Sequence, residues 1–231
     1  MTNFNKENKK TIMAISFATV VTLTLIFAPS AILVDADGDV PTCFERNPGN
    51  PPIERDATIY KKFPTDNTSD LWVTPTGDKN MTRLSSGGFD GWKVGGSKGT
   101  GGDVIVGSWL SDQINGGKGN DVICGDDIRA TFTIGDDKIS GGFGDDDMWG
   151  TYGFTDIGPD EDELRGGQGN DVMWGQGGPD TIIGGQGDDV AICSQAADDG
   201  EDDVVKLGRG NDSSENCDLG GDTVNLGNKH E

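Results

Sequence analysis

Single apolar residues follow aspartates at a fixed interval through the second half of the chain. Five nine-residue segments superimpose without gaps, and each has an aspartate at its sixth position and a glycine-rich start. The glycines are spaced alike in four of them and differently in the segment from Gly175. Self-similarity at a fixed period is typical of repeat architectures, so the pattern predicts stacked short strands separated by turns. The segments are GGKGNDVIC from Gly116, GGFGDDDMW from Gly141, GGQGNDVMW from Gly166, GQGGPDTII from Gly175 and GGQGDDVAI from Gly184.

The same register extends in both directions along the chain. Requiring only an aspartate at position six and an aliphatic residue at position eight brings the total to twelve units over residues 98–225, with Ser214 replacing the apolar residue in one of them. Insertions begin at Gly125, Gly150 and Cys193. The further units are KGTGGDVIV from Lys98, GSWLSDQIN from Gly107, FTIGDDKIS from Phe132, IGPDEDELR from Ile157, DDGEDDVVK from Asp198, LGRGNDSSE from Leu207 and CDLGGDTVN from Cys217.

The common form G-G-x-G-x-D-x-U-x, with U apolar, resembles the haemolysin-type (RTX) calcium-binding repeat family. The resemblance implies an all-β fold, a parallel β-roll (β-solenoid) in which each unit is a turn plus a short strand and two units close one coil. We expect the β-roll over residues 98–226, a small N-terminal cap over 37–97 because solenoid ends need covering, and a C-terminal tail over 227–231.

Alternate units then stack on the same face of the roll, and the two faces differ in sequence. The first face holds nearly all the good matches, so the resemblance places its calcium ligands there, on position-six carboxylates and on glycine carbonyl groups. The second face has degraded turns and is predicted to hold weaker sites at Asp112, Asp137, Asp180 and Asp222. The first-face ligands are Asp103, Asp121, Asp146, Asp171, Asp189 and Asp212, with Gly117, Gly119, Gly142, Gly144, Gly167, Gly169, Gly185, Gly187, Gly208 and Gly210.

This ranking of the faces has a direct consequence for variants. Asp171→Ala is expected to weaken calcium binding more than Asp162→Ala, which lies on the degraded face. About five ions are expected between the coils of the first face, since calcium takes six to eight oxygen ligands and two stacked turns can share them.

Apolar side chains at position eight are expected to point inward, because strand side chains alternate. Trp149 and Trp174, at position nine in neighbouring coils, are expected to point outward as an aromatic ladder. Packing beneath the adjacent insertion loops is one interpretation of this ladder, and a binding surface for sugar or protein is the other.

Charge supports a metal-binding function. The formal net charge is -22, from 40 acidic and 18 basic side chains, and such a field repels nucleic acid and anionic membranes while it concentrates cations. Oxygen ligands and a single histidine favour calcium over transition metals. The predicted cofactor is therefore calcium, and no nucleic-acid partner is expected.

The N-terminus has the layout of an export signal. Lysines 6, 9 and 10 precede an uncharged stretch from Thr11 to Val34, and the chain turns acidic at Asp35. Residues 1–36 are therefore predicted to be a cleaved signal peptide, or else a membrane anchor, since about 20 apolar residues span a bilayer. The predicted location is secreted and extracellular, or the cell surface with membrane contact only through an uncleaved N-terminal helix.

Four cysteines, all in the exported part, suggest two disulfides. In the β-roll register, Cys193 and Cys217 lie on one edge in adjacent coils, whereas Cys124 lies three coils earlier. At about 4.8 Å per coil, Cys124 is too far from Cys193 for a bridge. The register therefore predicts Cys193 with Cys217, and Cys43 with Cys124, the latter joining the cap to the roll.

Catalysis is not expected from this sequence. The only histidine is His230, which removes H-E-x-x-H chemistry and disfavours a Ser-His-Asp triad. The prediction is a non-enzymatic calcium-binding protein of the cell exterior, structural or mediating contact with an extracellular protein or a polysaccharide. The alternative is a small secreted carbohydrate-active enzyme (lyase, epimerase or glycosidase) that carries RTX repeats, since the 40 acids could include a catalytic carboxylate pair, although the sequence singles none out.

Overall fold

The computed structural model describes most of the repeat region and parts of the segment before it. The described residues all belong to one compact unit, Asp35–Glu231, and contain no helix of the length and apolarity that crossing a membrane requires. The predicted signal segment 1–36 lies outside them, as do Lys98 and the last three residues of the predicted tail. The structure describes residues 40–47, 51, 53–61, 71–74, 79–80, 82–84, 91–97, 99–126, 135–151, 160–194, 201–217 and 221–228.

Every regular element in these residues is a β-strand. The strands before the repeats are β1 Thr42–Glu45, β2 Ile53–Asp56, β3 Ile59–Lys61, β4 Leu71–Val73, β5 Lys79–Asn80, β6 Thr82–Arg83 and β7 Trp92–Gly95. The strands of the repeats are β8 Val104–Val106, β9 Gln113–Lys118, β10 Val122–Cys124, β11 Lys138–Phe143, β12 Asp147–Trp149, β13 Glu163–Gln168, β14 Val172–Trp174, β15 Thr181–Gln186, β16 Val190–Ile192, β17 Val204–Arg209, β18 Ser213–Glu215 and β19 Thr223–Asn225.

The repeat strands alternate between two parallel sheets. Sheet one has the order β18-β16-β14-β12-β10-β8-β3-β4-β5, and sheet two has the order β19-β17-β15-β13-β11-β9-β7-β6. Each repeat strand begins directly after a position-six aspartate, as Val122 follows Asp121 and Lys138 follows Asp137. Two units thus form one coil, and the predicted parallel β-roll is confirmed.

The core is one column of apolar side chains from each sheet. In sheet one, Ile105, Ile123 and Met148 lie in register, and in sheet two Ile114, Ile139 and Leu164 do the same. All are at most 2% exposed. The prediction that position-eight side chains point into the core fails only in the last coil, where Val224 is 37% exposed. No described coil follows β19 to cover this side chain.

The segment before the repeats covers the first coil. β3 pairs in parallel with β8, and β7 pairs in parallel with β9, so both sheets are extended at this end. Ile59, Trp92 and Val94 add their buried side chains to the same core. The described strands β3 and β7 therefore shield the apolar contacts of the first repeat coil from water, as expected of a cap.

A hairpin of β1 and β2 lies against the outer surface of sheet one. Trp149 and Trp174 stack there with ring centroids 4.0 Å apart, and the indole Nε1–H of Trp149 donates to the carbonyl oxygen of Phe44 at 2.9 Å. Both tryptophans are at most 7% exposed. The predicted outward ladder is present, and the hairpin packs against it, so these two rings are buried and do not form an exposed binding surface. The insertion loops expected to cover the ladder lie largely outside the described residues.

The two predicted disulfides are present. Cys43 of β1 is bonded to Cys124 of β10, with Cα atoms 5.9 Å apart, and this bond holds the hairpin on sheet one. Cys193 and Cys217 join adjacent coils, with Cα atoms 5.2 Å apart. Both pairs agree with the coil register read from the repeats.

Candidate metal sites in two columns of turns

The position-six aspartates stack in two columns, one along each edge of the roll. The first column comprises the turns that lead into strands of sheet one, and the second column comprises the turns that lead into sheet two. Each aspartate lies one coil above its counterpart. The first column holds Asp103, Asp121, Asp146, Asp171, Asp189 and Asp212, and the second holds Asp112, Asp137, Asp162, Asp180, Asp203 and Asp222.

One oxygen of each carboxylate from the second coil onward is used to join the coils. The backbone N–H of Asp121 donates to Oδ1 of Asp146 at 2.8 Å, and the N–H of Asp146 donates to Oδ1 of Asp171 at 2.9 Å. The second column repeats this bond, as from Asp137 to Asp162 at 2.7 Å. The ladders are continuous from Asp103 to Asp212 and from Asp112 to Asp222. They fix the direction of every carboxylate in them.

The other oxygen of most of these carboxylates has no hydrogen-bond donor among the described residues. Leaving a buried carboxylate oxygen without a donor costs several kcal/mol, unless a cation or a proton compensates it. These carboxylates are at most 8% exposed, so bulk water has little access to them. The oxygens are Oδ2 of Asp121, Asp146, Asp171, Asp189 and Asp212 in the first column and Oδ2 of Asp137, Asp162 and Asp180 in the second.

Backbone carbonyl oxygens converge on the same places. A Cβ atom built on Gly116 would collide with Oδ2 of Asp121 and would also meet the carbonyl oxygen of Gly141 in the next coil. Gly184 stands in the same relation to Asp189 and to the carbonyl of Leu207. A carboxylate oxygen and a carbonyl oxygen from successive coils therefore share one small volume, and glycine is required beside it. Hard oxygen donors of this kind fit calcium.

The second column has the same arrangement with different residues. Gly125 meets Oδ2 of Asp137 and the carbonyl oxygen of Gly150, and Gly150 in turn meets Oδ2 of Asp162. Gly125 and Gly150 were assigned to insertions by the sequence pattern. The structure instead places them at position one of the second-column turns, so the inserted residues lie inside those turns.

The first coil differs from the coils above it. The carboxylate of Asp103 accepts bonds from the backbone N–H of Ser97 at 2.6 Å and from its hydroxyl at 2.7 Å. Asp112 accepts from the N–H and the hydroxyl of Ser108, and from the N–H of Trp92. Both carboxylate oxygens of these two predicted ligands therefore have protein donors at the capped end of the roll, whereas most later carboxylates have a donor on Oδ1 alone.

The predicted first-face glycines shape the turns as expected for all but one position. Gly142 has φ of 114° and Gly144 has φ of 122°, values that side-chain-bearing residues rarely adopt. Gly210 does not lie in the positive-φ region but approaches the carbonyl oxygen of Gly187 too closely for any side chain. The glycines with positive φ are Gly117, Gly119, Gly142, Gly144, Gly167, Gly169, Gly185, Gly187 and Gly208.

Burial and mutual repulsion raise the pKa values of these acids. In the first column, burial raises the pKa of Asp121 and Asp171 to about 6, that of Asp189 to about 7 and that of Asp146 to about 8. In the second column, burial and the charge of Asp162 raise the pKa of Asp180 to about 10. Without a cation, the columns hold charge that the protein interior disfavours.

Four acids of the second column region were missed as site residues. Asp162 and Asp203 occupy position six of the units from Ile157 and Asp198, so the register alone identifies them. Asp126 lies in the insertion that begins at Gly125, which the repeat pattern does not align, and Asp160 is the fourth residue of the unit from Ile157, where the repeat formula has glycine. Each is at most 3% exposed and keeps one carboxylate oxygen without a donor, Oδ2 of Asp126 and Oδ1 of Asp160.

Asp126 and Asp160 face the position-six acids of the second column. Burial, followed by the charges of Asp162, Asp160 and Asp112, raises the pKa of Asp126 well above its usual value. Asp160 accepts a bond from the hydroxyl of Thr151. The second column therefore concentrates more buried negative charge than its repeat sequence indicates.

One further group of possible ligand atoms lies at the end of the second column. The Sγ of Cys193 and carboxylate oxygens of Asp203 and Asp222 are within 4.8 Å of one another. The sulfur is part of the disulfide with Cys217, so only the two carboxylates remain as metal ligands. They belong to the same ladder as the other second-column acids.

The comparison with protein families agrees with this geometry. The model of the RTX calcium-binding nonapeptide repeat matches residues 99–127, 133–151 and 156–191, in four copies. Searches of curated proteins and of solved structures found no match. The coils that carry Asp203, Asp212 and Asp222 lie beyond the matched residues but continue the same ladders. Residues 99–191 of this chain are therefore an array of RTX calcium-binding nonapeptide repeats.

Proposed function

We propose that this protein is an exported calcium-binding protein whose β-roll folds when calcium binds. In this proposal both columns bind the ion, and the folded roll serves as a structural or interaction module of the cell exterior. The observation that carries the proposal is the set of eight buried position-six carboxylates that each keep an oxygen with no donor in the described part of the chain.

Electrostatics couple the folding of the roll to the ion. Stacking the coils brings carboxylates of successive turns together, and each coil adds only about one apolar side chain per sheet to the core. When no cation is bound, repulsion among the acids therefore opposes folding, and the thin apolar core offsets little of it. A divalent cation between two turns removes this repulsion, and binding to the folded state alone stabilises that state by mass action.

Export is supported by the sequence and by the cysteine chemistry. The basic, apolar and then acidic order of residues 1–36 is that of a signal segment. The pairs Cys43–Cys124 and Cys193–Cys217 are formed, and such bonds persist in oxidising compartments. Extracellular calcium modules typically bind with Kd values of about 0.1 to 1 mM, so the chain would remain unfolded at cytosolic calcium levels and fold outside.

Calcium titration of the purified protein, followed by circular dichroism and thermal melting, tests the proposal. We expect chelator to abolish the β-sheet signal at pH 7.5 and calcium to restore it cooperatively, whereas magnesium at equal concentration restores little. An unchanged spectrum and melting temperature in chelator would contradict the calcium-dependent fold. Mass determination of the exported chain tests the predicted cleavage near residue 36 separately.

Incubating the calcium-loaded protein with acidic polysaccharides and measuring chain length addresses the enzyme alternative. The cleft to examine has a volume of about 440 Å³ and lies between the hairpin and the first column. Asp147 lines it, and burial raises the pKa of this acid to about 6. Cleavage that is lost in Asp147→Asn would favour the enzyme, and binding without cleavage favours the module.

A further inference from the structure

The outer surface of sheet two is positively charged, although the chain is strongly acidic. Its outward residues form three ladders across the strands, beginning at Lys93, Gly95 and Lys118. Six of the chain's 18 basic residues stand in these ladders, but only one of its 40 acids, Glu163. All six basic side chains are exposed. We call this surface the basic face; its cations are Lys93, Lys118, Lys138, Arg165, Lys206 and Arg209.

This distribution is the reverse of the chain as a whole. Acidic residues outnumber basic ones by about two to one in the sequence, so an average surface of this size would be negative. The outer surface of sheet one differs again, since it carries Val122, Trp149 and Val172 and is packed against the hairpin. Sheet two therefore presents the exposed, regular and cationic surface of the roll.

Neutral hydrogen-bonding groups lie between the cations. A shallow depression of about 320 Å³ is lined by Lys93, Lys138 and Arg165 together with Gln113, Asn115 and Ser140. Lys138 Nζ lies 2.5 Å from Oε2 of Glu163, and Arg165 also pairs with this carboxylate. Glu163 thus holds two cations in fixed positions at the surface, where an anionic ligand would compete with it.

We propose that the basic face binds an acidic polysaccharide. The anionic groups of the polymer would pair with Lys93, Lys138 and Arg165, and its hydroxyl groups would bond to the amides and the hydroxyl between them. Equivalent positions recur about every 4.8 Å along the stack of coils, so a linear polymer can follow one ladder. The proposal depends on the proposed function only in that calcium keeps sheet two folded.

Side-chain chemistry favours a polysaccharide over nucleic acid. Phe143 is the one aromatic residue in the three ladders of the described sheet, so the face has no row of rings on which bases could stack. The alternation of cations with amide and hydroxyl groups instead matches a chain that alternates acidic groups with hydroxyls.

The test is binding to the calcium-saturated full chain, measured by isothermal titration calorimetry. The probes are oligogalacturonate, which carries carboxylates, and a sulfated dextran fragment of similar length, with neutral dextran, duplex DNA and polyglutamate for comparison. We expect binding to at least one of the acidic saccharides, weakened by salt, and weaker or absent binding to the other three. The better of the two saccharides identifies the anionic group.

Matched variants locate the site. Lys93→Gln with Lys138→Gln should weaken binding about tenfold, whereas Arg46→Gln with Arg55→Gln removes the same charge from the hairpin and should leave binding unchanged. Glu163→Gln should strengthen binding about twofold to threefold, because it removes the competing anion. Calcium-dependent circular dichroism of each variant confirms the fold. Equal losses in the two double variants, no saccharide binding, or tighter binding of DNA or polyglutamate would overturn the proposal and leave the calcium-dependent fold untouched.

Discussion

Each of the two columns of turns contains a ladder of carboxylates, but the connections between successive strands differ between the columns. In the first column, three residues separate one strand from the next, as in Gly119, Asn120 and Asp121. In the second column, the connection from Cys124 to Lys138 spans thirteen residues. The bond from backbone N–H to Oδ1 is nevertheless present in both columns. The ladder therefore depends on the position-six aspartate and its register, not on a complete glycine motif.

Position two of the turn shows the contrast most clearly. The first column has glycines with positive φ there, such as Gly142 and Gly167. The second column has a stack of buried side chains at the same position, in register through the strands that precede them. These residues are Ser108, Asp126, Thr151, Gln176 and Ser194. Glycine in the first column keeps the turn tight, whereas side chains in the second column fill the space that longer turns enclose.

Position five shows how the first column limits repulsion at its exposed edge. The N–H of Asn170 donates to Asp145, and the N–H of Asp188 donates to Asn170, each at 2.8 Å. Asparagine and aspartate alternate along this ladder from Asn120 to Asn211. Like charges are thus two coils apart at the exposed position, while the buried position six carries a carboxylate in every coil. Only the buried ladder at position six therefore requires a cation to offset its charge.

The largest expected effect comes from neutralising one whole column. Replacing Asp137, Asp162, Asp180 and Asp203 by Asn should stabilise the calcium-free fold more than the same change at Asp121, Asp146, Asp171 and Asp189. The reason is that the second-column acids also face Asp126 and Asp160 and have the more strongly raised pKa values. Thermal melts in chelator measure this difference. Equal melting temperatures in the two variants would show that carboxylate repulsion destabilises the fold equally in the two columns.

The second prediction concerns pH. A carboxyl group whose pKa is higher in the folded state stabilises the fold while it is protonated, and this contribution is lost as pH rises through the folded pKa. For the first column this window extends from about 4, the usual value, to the range of about 6 to 8. In chelator, we therefore expect structure at pH 5 that disappears by pH 8.

Circular dichroism against pH in chelator measures this transition. In a variant that keeps only the second-column acids, the loss of structure should extend to higher pH, because Asp180 has a pKa of about 10. Calcium affinity should rise over the same window, because the ion displaces the bound protons. A metal-free chain that becomes more structured as pH rises from 5 to 8 would contradict the sign of this argument.

Much of this arrangement could be predicted from the sequence, because the repeat period fixes the register. Position-six aspartates identified all twelve repeat strands, and the register was sufficient to pair Cys193 with Cys217. The role of Gly125 could not be read in this way, since the turn that it begins contains residues with no counterpart in other coils. The burial of Trp149 depends on the hairpin from Thr42 to Asp56, which has no repeat to place it against a particular sheet.

The third prediction compares single aspartates in the two columns. Asp171 lies in a turn that matches the repeat formula closely and Asp162 in one that does not, so the sequence predicts a larger loss of calcium affinity for Asp171→Ala. In the structure, however, both carboxylates accept the same ladder bond and have the same unpartnered Oδ2. We therefore expect similar losses, about tenfold at the affected sites. Asp145→Asn, at the exposed position five, is the control and should change affinity little. Calcium titrations decide whether motif quality or carboxylate geometry sets affinity.

The smallest expected effect tests the backbone at position two. Gly142→Ala places a side chain at φ of 114° against the carbonyl of Gly117, and should lower the unfolding free energy of the calcium-bound protein by about 1 to 3 kcal/mol. Gln176 occupies position two of a second-column turn at φ of 88°, and its amide Nε2 has no partner. In Gln176→Gly, relief of this backbone strain offsets the greater flexibility of the unfolded chain, so the change should stay within about 1 kcal/mol. Urea unfolding at saturating calcium compares the two variants. If Gln176→Gly is as destabilising as Gly142→Ala, then the side chains stacked at position two support the second column as strongly as glycine supports the first.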